Sequence, residues 1–327
     1  MASQVAEADR ALGARYDVGE ELNADFRNSE RGTRITHRRN ELFQAGTGVF
    51  TIGSCFAESI RKALDANGYA ARPRYQDLDI DVATQMAGPL QHINYYTTFS
   101  IRQEIERVLD GLGPEPIQLP VKPGKWKVLF QEWEALWQDP LRHGVVALTE
   151  EGILDVMAKV DAITRDALER ADAFVITLGL IESWVDTVTG RHVWSSKVRN
   201  VSPEPDRFAF HLSNYQENYE NIRWVCQTIS DRFPGKPIVL TVSPVGLLST
   251  FSGRDIVVAN TYSKSVLRAV AGAIDGEFAN VTYWPSYEFA MSTDIYVEDG
   301  RHVLPEGVQY IVGSFLGAHA SVEGATP

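Results

Sequence analysis

Cys55 is the residue best placed to do chemistry. It follows the apolar run GVFTIG through Gly53 and Ser54, and it opens a segment whose Ile60, Ala63 and Leu64 share a helical face, with Gly68 just past the end. A thiol between a strand and a helix lies at the helix N-terminus. There the unpaired N–H groups and the dipole favour an anion and can hold a developing oxyanion. Free cysteines also serve as small buried hydrophobes, so position alone divides the two readings evenly. A nucleophilic thiol needs a base. Of His37, His92, His143, His192, His211, His302 and His319, only His302 has a recognisable frame, in EDGRHVLPEGV. Asp299-x-x-His302 on a short loop lets a carboxylate receive one imidazole N–H while the other nitrogen faces a nucleophile. The bare pattern is common by chance, and a surface histidine near acidic neighbours is its competitor. Its place at the last strand-to-helix crossing gives it weight.

The elements that must bring these residues together are legible as a repeat. Apolar runs at 171–179, 236–244 and 281–286 follow the first one. Helical patterns lie at 214–233, 260–274 and 305–320, the last with Pro305 in its first turn, where a missing N–H costs nothing. Strands alternating with helices predict an α/β fold with a mainly parallel sheet covered on both faces. In such sheets the site lies outside the carboxyl ends of the strands. That rule points to Gly53-Ser54-Cys55, to Gly179 through Glu182, to Ser243-Pro244 and to the loop after Trp284. Residues 113–165 and 185–213 do not fit the repeat and are expected as insertions that wall the site. Residues 1–46 are expected as a polar arm, 47–320 as a single α/β domain and 321–327 as a tail.

Composition excludes several classes. The chain has 327 residues, 44% hydrophobic and 23% charged, which is the profile of a folded globular protein. A net charge of −12 is a poor match for nucleic acid or an anionic membrane, so neither is an expected partner. Cys55 and Cys226 cannot build a disulfide framework or a thiolate zinc site. With no Gly-rich phosphate loop and no metal-ligand spacing, no cofactor and no metal are expected. The first twenty residues lack the basic start and apolar core of a secretory signal, and no apolar run approaches the roughly 20 residues that span a bilayer. A cytoplasmic protein is the expectation.

TIGSCFAESI resembles the signature of the GSCFA family, within the wider SGNH/GDSL hydrolase-like group. FVITLGLIESW, LTVSPVGLLST, NTYSKSVLRAVA and YWPSYEF resemble further blocks of that family in the same order, over most of residues 46–316. The resemblance implies a three-layer α/β/α flavodoxin-like fold. It also implies a cysteine enzyme with Cys55 as nucleophile, His302 as general acid–base and Asp299 as orienting carboxylate. Ser54 takes the place of the group's aspartate. The group's Gly-x-Asn-Asp block reads here Gly179-Leu180-Ile181-Glu182, so isoleucine replaces an oxyanion-hole asparagine and Glu182 takes the acidic position. The oxyanion donors implied are the Cys55 and Gly179 amides and the Asn94 side chain from HINYYTT. The expected reaction is acyl transfer through an S-acyl cysteine, as acyltransferase or esterase. Its partners would be a small-molecule acyl donor and a hydroxyl or amine acceptor such as a sugar. The alternative is a non-catalytic ligand-binding module on a degenerate hydrolase frame.

Other residues carry two readings each. Trp184, Trp284 and Tyr287 read as core aromatics or a pocket wall, and Arg301 as a surface salt-bridge partner or an anion binder. Ser263-Lys264 resembles a nucleophile pair, but adjacent helical residues are expected to point apart. Cys226 reads as core.

Overall fold

A computed structural model of the chain describes residues 35, 42–44, 46–80, 93–120, 127–128, 131–132, 135–193, 204–292, 295–298 and 300–319. Most of the expected arm and all of the expected tail lie outside the described residues, as do His37, His92 and Asp299.

The strands are β1 (Gly48–Gly53), β2 (Ala70–Arg72), β3 (Ile117–Pro120), β4 (Lys127–Val128), β5 (Gln131–Glu132), β6 (Ala135–Gln138), β7 (Val146–Ala147), β8 (Ala173–Leu178), β9 (Glu182–Asp186), β10 (His192–Val193), β11 (Phe208–Leu212), β12 (Ile238–Val242) and β13 (Val281–Trp284). The α-helices are α1 (Cys55–Ala66), α2 (Thr98–Asp110), α3 (Glu150–Glu169), α4 (Tyr215–Arg232), α5 (Ile256–Glu277), α6 (Ser286–Ser292) and α7 (Pro305–His319).

Five strands form the central sheet in the order β13-β12-β8-β1-β2, all parallel. In chain order this is second, first, third, fourth, fifth, the doubly wound flavodoxin-like arrangement. Alternation along the strands sorts their side chains into two cores. On one face Phe50, Ile52, Ile176 and Leu240 pack with Ile105 of α2, Val156 of α3, Val225 and Cys226 of α4 and Leu267 of α5. On the other, Val49, Val175 and Val239 pack with Phe56 and Leu64 of α1, Phe289 of α6 and Phe315 of α7. The result is the three-layer α/β/α architecture that the sequence predicted. Cys226 is core, as read.

Of two antiparallel sheets, β3-β6-β7 lies in the first stretch that broke the sequence repeat, and β10-β9-β11 lies in the second except that β9 begins ahead of it, at Glu182. The first of those stretches also holds most of α3, which is integral to the larger core. Trp284 is buried against Phe289 and Phe315, so it is core and not a pocket wall. Among the described residues, no helix is long and apolar enough to cross a membrane.

Candidate active site

The chain leaves β1 on one side to form β2 and returns on the other as β8. The crevice between β1 and β8 is therefore the topological switch point, where doubly wound sheets hold their ligands. Two glycines let the backbones close there. Gly53, at φ +138°, faces β8 so closely that a Cβ would lie 2.1 Å from the Thr177 carbonyl oxygen. At Gly179 a Cβ would lie 2.5 Å from the Tyr96 carbonyl oxygen and 3.1 Å from the Ser54 Cβ. The segment around Asn94 is sewn between these ends. The Tyr95 amide donates to the Gly53 carbonyl (2.7 Å) and the Leu180 amide to the Tyr96 carbonyl (2.9 Å).

Ser54 is the N-cap of α1, its hydroxyl accepting from the Phe56 amide at 3.3 Å. Cys55 follows as the first helical residue, partly exposed to a cleft of about 490 Å³. Ser54, Asn94, Tyr96, Gly179, Glu182 and His302 line the same cleft. The structure thus gathers every described site residue of the sequence reading, including a thiol and an imidazole about 250 residues apart. His302 is exposed, and its carbonyl accepts from the Val297 amide at 2.9 Å. The loop after Trp284 does not reach the cleft. It enters α6 directly, where the Ser286 hydroxyl accepts from Thr241 at 2.7 Å.

Glu182 works differently from a free acid. Its carboxylate accepts from the Thr250 hydroxyl and, at 3.0 Å, from the Phe251 amide. It thereby ties the loop after β12 across the cleft. Arg301 ties the same loop from the opposite side by donating to the Gly246 carbonyl at 3.2 Å. Trp184, edge-on to Phe251 at 5.3 Å, forms an apolar wall with Leu180, Val193 and Leu247. The wall is fastened to α2 by Gln103, whose side chain bonds both the N–H and the C=O of His192. The His192 ring stacks on Phe99 at 3.7 Å and bonds Ser183, and burial, with His211 nearby, holds its pKa down to about 3.

The electrostatics correct one expectation. A helix N-terminus alone should draw the thiol pKa down, yet burial pushes Cys55 up. The positive charges of Lys264 and Arg301 oppose that push, and Glu58 adds to it. Tyr96 is pushed up to about 12 by burial and by the neighbouring thiol.

The sequence reading passed over two residues. His143 lines the cleft from the turn between β6 and β7. That turn is held by buried Arg142, paired with Glu104 (2.5 Å) and Asp161 (2.6 Å), and by Asp139, paired with Arg107 (2.9 Å). No local motif announces it, because the partners come from α2 and α3. Lys264 was set aside because neighbours on a helix diverge. Successive residues differ by only about 100°, and both fit within the wide buried stripe of α5. Ser263 and Lys264 are each 1% exposed and both reach the 179–181 turn.

A family model described as the GSCFA family matches residues 48–315. The chain belongs to the GSCFA family. The matched span of this GSCFA protein runs from β1 into α7 and includes Cys55, Gly179, Glu182 and His302. No curated protein matches the chain. Among solved structures, a peptidoglycan O-acetylesterase aligns at 13% identity and a TM-score of 0.34, over 85% of this chain and 90% of that one. A protein from Streptococcus pneumonia, described as a candidate platelet activating factor, aligns at 13% identity and a TM-score of 0.27. That alignment spans 49% of this chain and 66% of the other, just under two thirds of its length.

Proposed function

We propose that this GSCFA protein is an acyl-transfer enzyme in which Cys55 carries the acyl group as a thioester. The observation that supports this most is the meeting of Cys55 and His302 in one cleft at the switch point of the sheet. The Cys55 sulfur attacks the acyl carbonyl and its proton passes to His302. The carbonyl oxygen gains negative charge, and the Cys55 and Gly179 amides with the Asn94 side chain stabilise it. Collapse breaks the bond to the leaving group, which takes the proton from His302. The acceptor then loses its proton to His302 and attacks the thioester, and the thiol is restored. Asp299 orients the imidazole. Water as acceptor makes an esterase, and a hydroxyl or amine makes an acyltransferase.

The substrate is an acylated carbohydrate or small metabolite. The cleft volume falls in the range of roughly 300–1,000 Å³ usual for small-molecule sites. Its polar floor suits hydroxyl groups, and its Trp184–Phe251 wall suits an acyl chain.

The test is mass spectrometry after incubation with an activated acyl ester or thioester. A single adduct on the Cys55 peptide is expected, absent from Cys55→Ala. An adduct that persists in the alanine variant removes Cys55 from the mechanism.

One observation favours a second reading, a binding module on a degenerate frame. Ile181, at the asparagine position of the related enzymes, is 1% exposed, and its amide is bonded to Ser263. That reading expects no acyl adduct and saturable ligand binding with Cys55 chemically inert.

A further inference from the structure

Lysine is almost never fully buried without a partner. Lys264 lies in the middle of α5, 1% exposed, and its ammonium donates to the Gly179 carbonyl at 2.7 Å. Among the described residues no carboxylate forms an ion pair with it. The charge it senses is that of the Cys55 thiol, and Cys55 senses it in return. Ser263 beside it accepts from the Ile181 amide at 3.2 Å, so the dipeptide grips both ends of the Gly179–Ile181 turn. The turn also carries the Gly179 amide, and a Cβ added at Gly179 would stand 3.1 Å from the Ser54 Cβ.

We propose that Lys264 is the positioning residue of this site, a buried amine anchored on the Gly179 turn whose positive charge eases formation of the Cys55 thiolate. The inference rests on the reading of Cys55 as the reactive group. The thiol proton still leaves to His302 during attack, and the ammonium of Lys264 then faces a thiolate, so the buried pair is neutral. The desolvation that disfavours each ion alone is therefore offset by the other. Burial pulls Lys264 down to about 7 and pushes the Cys55 thiol up, and each group in its charged form opposes the shift of the other. The other charged and titratable groups around the sulfur are Arg301 ahead of α7, Glu58 on α1, Tyr96 on the segment ahead of α2, and His302 across the cleft.

The test reads the thiol without turnover. Cys55 is alkylated with iodoacetamide from pH 5 to 10 in the intact chain and quantified by peptide mass spectrometry, with fully buried Cys226 as an internal control. Lys264→Met is expected to raise the titration midpoint of Cys55 by about 1–2 pH units and to slow alkylation at pH 7 by roughly 10–100-fold. Lys264→Gln keeps a donor for the Gly179 carbonyl and is expected to show the same shift, which separates the charge from the anchor. A midpoint that stays in place in either folded variant overturns the proposal. So does a glutamine variant that restores wild-type behaviour.

A measurement on the unmutated chain covers the case in which neither variant folds. Alkylating Cys55 to a neutral thioether removes the anion, and the Lys264 signal in lysine-labelled NMR is expected to titrate at lower pH. An unmoved signal overturns the proposal. An intact Lys264-dependent midpoint with no acyl adduct would sink the enzymatic reading alone. An adduct with a Lys264-independent midpoint would sink this one alone.

Discussion

Replacing Gly179 by alanine probes the geometry on which the proposed oxyanion turn depends. The added Cβ would stand 2.5 Å from the Tyr96 carbonyl oxygen, whereas ordinary contact begins at 3.4 Å. Turn and segment must therefore part by about 0.9 Å, and neither can yield through a flexible side chain, because the obstacle is backbone. Movement breaks into the Leu180–Tyr96 bond of 2.9 Å, the stitch that holds Asn94 beside Cys55. Overpacking of this kind costs about 1–3 kcal/mol of stability. A displacement of about 1 Å at reacting groups can cost on the order of 100-fold in rate. The expected Gly179→Ala protein therefore unfolds at lower urea and forms the Cys55 acyl adduct about 100-fold more slowly. Gly246→Ala is the stability control. It lines the same cleft, but its Cβ would meet only Asn260 at 3.5 Å and Arg301 at 3.8 Å, so its stability should hold within about 0.5 kcal/mol. If Gly179→Ala matched wild type in both urea midpoint and acylation rate, the assignment of this turn to the site would be wrong.

Two further perturbations test what holds the walls in place. His192 titrates at about 3 when folded and near 6.5 when unfolded. The unfolded chain thus binds more protons between those values, and stability falls as pH drops through that window, by about 1.4 kcal/mol per pH unit from this ring. Urea unfolding between pH 6 and 4 should show a pH slope smaller by nearly one proton in His192→Gln; parallel slopes would refute the burial argument. Arg142→Met leaves Glu104 buried without its guanidinium, which should cost about 3–5 kcal/mol. Adding Glu104→Leu should recover much of that loss in thermal melts, and a single variant within about 1 kcal/mol of wild type would contradict the network.

The parts of this molecule that the sequence displays are those whose signals are local. β1, β8, β12 and β13 are apolar runs bounded by glycine, proline or turn residues, and each was visible. β2 is three residues long and carries too little pattern to be seen. α2 has a capping box of Thr97 and Ser100, but serine at the third helical position departs from the glutamate or glutamine that marks such a box in sequence. α5 begins at Ile256, four residues before its reading from sequence, because Asp255 caps it and the exposed Ile256, Val257 and Val258 break the amphipathic stripe. At the site, Cys55 stood out through its position between strand and helix. Gly179 and Glu182 follow from the strand-end rule as well as the family resemblance, and Asn94 from the resemblance alone. Lys264 is discounted and His143 left without a frame, because their significance comes from α5 reaching the turn after β8 and from ion pairs spanning α2 and α3. Nothing within a few residues of either encodes those contacts.

The same distinction governs charge. A chain with a net charge of −12 suggests an acidic surface, yet the charges that act on Cys55 are mainly cationic. Glu182 is engaged by Thr250 and Phe251, and Asp186 by Arg207 at 2.6 Å, so the carboxylates nearest the wall are already committed to protein partners. Interaction strength explains why the few outweigh the many. At an effective dielectric of about 20, two charges 4 Å apart interact by about 4 kcal/mol, whereas exposed charges beyond a Debye length of about 8 Å are largely screened. Net charge therefore bears on solubility and on encounter with large polyanions, while the ionisation of the thiol responds to burial, Lys264 and Arg301. Burial alone would leave Cys55 as an inert core residue, the reading that its sequence position could not dismiss. What separates it from Cys226, whose fully buried thiol is pushed well beyond the physiological range with no cation to oppose it, is the pair of positive side chains converging on one sulfur and not on the other.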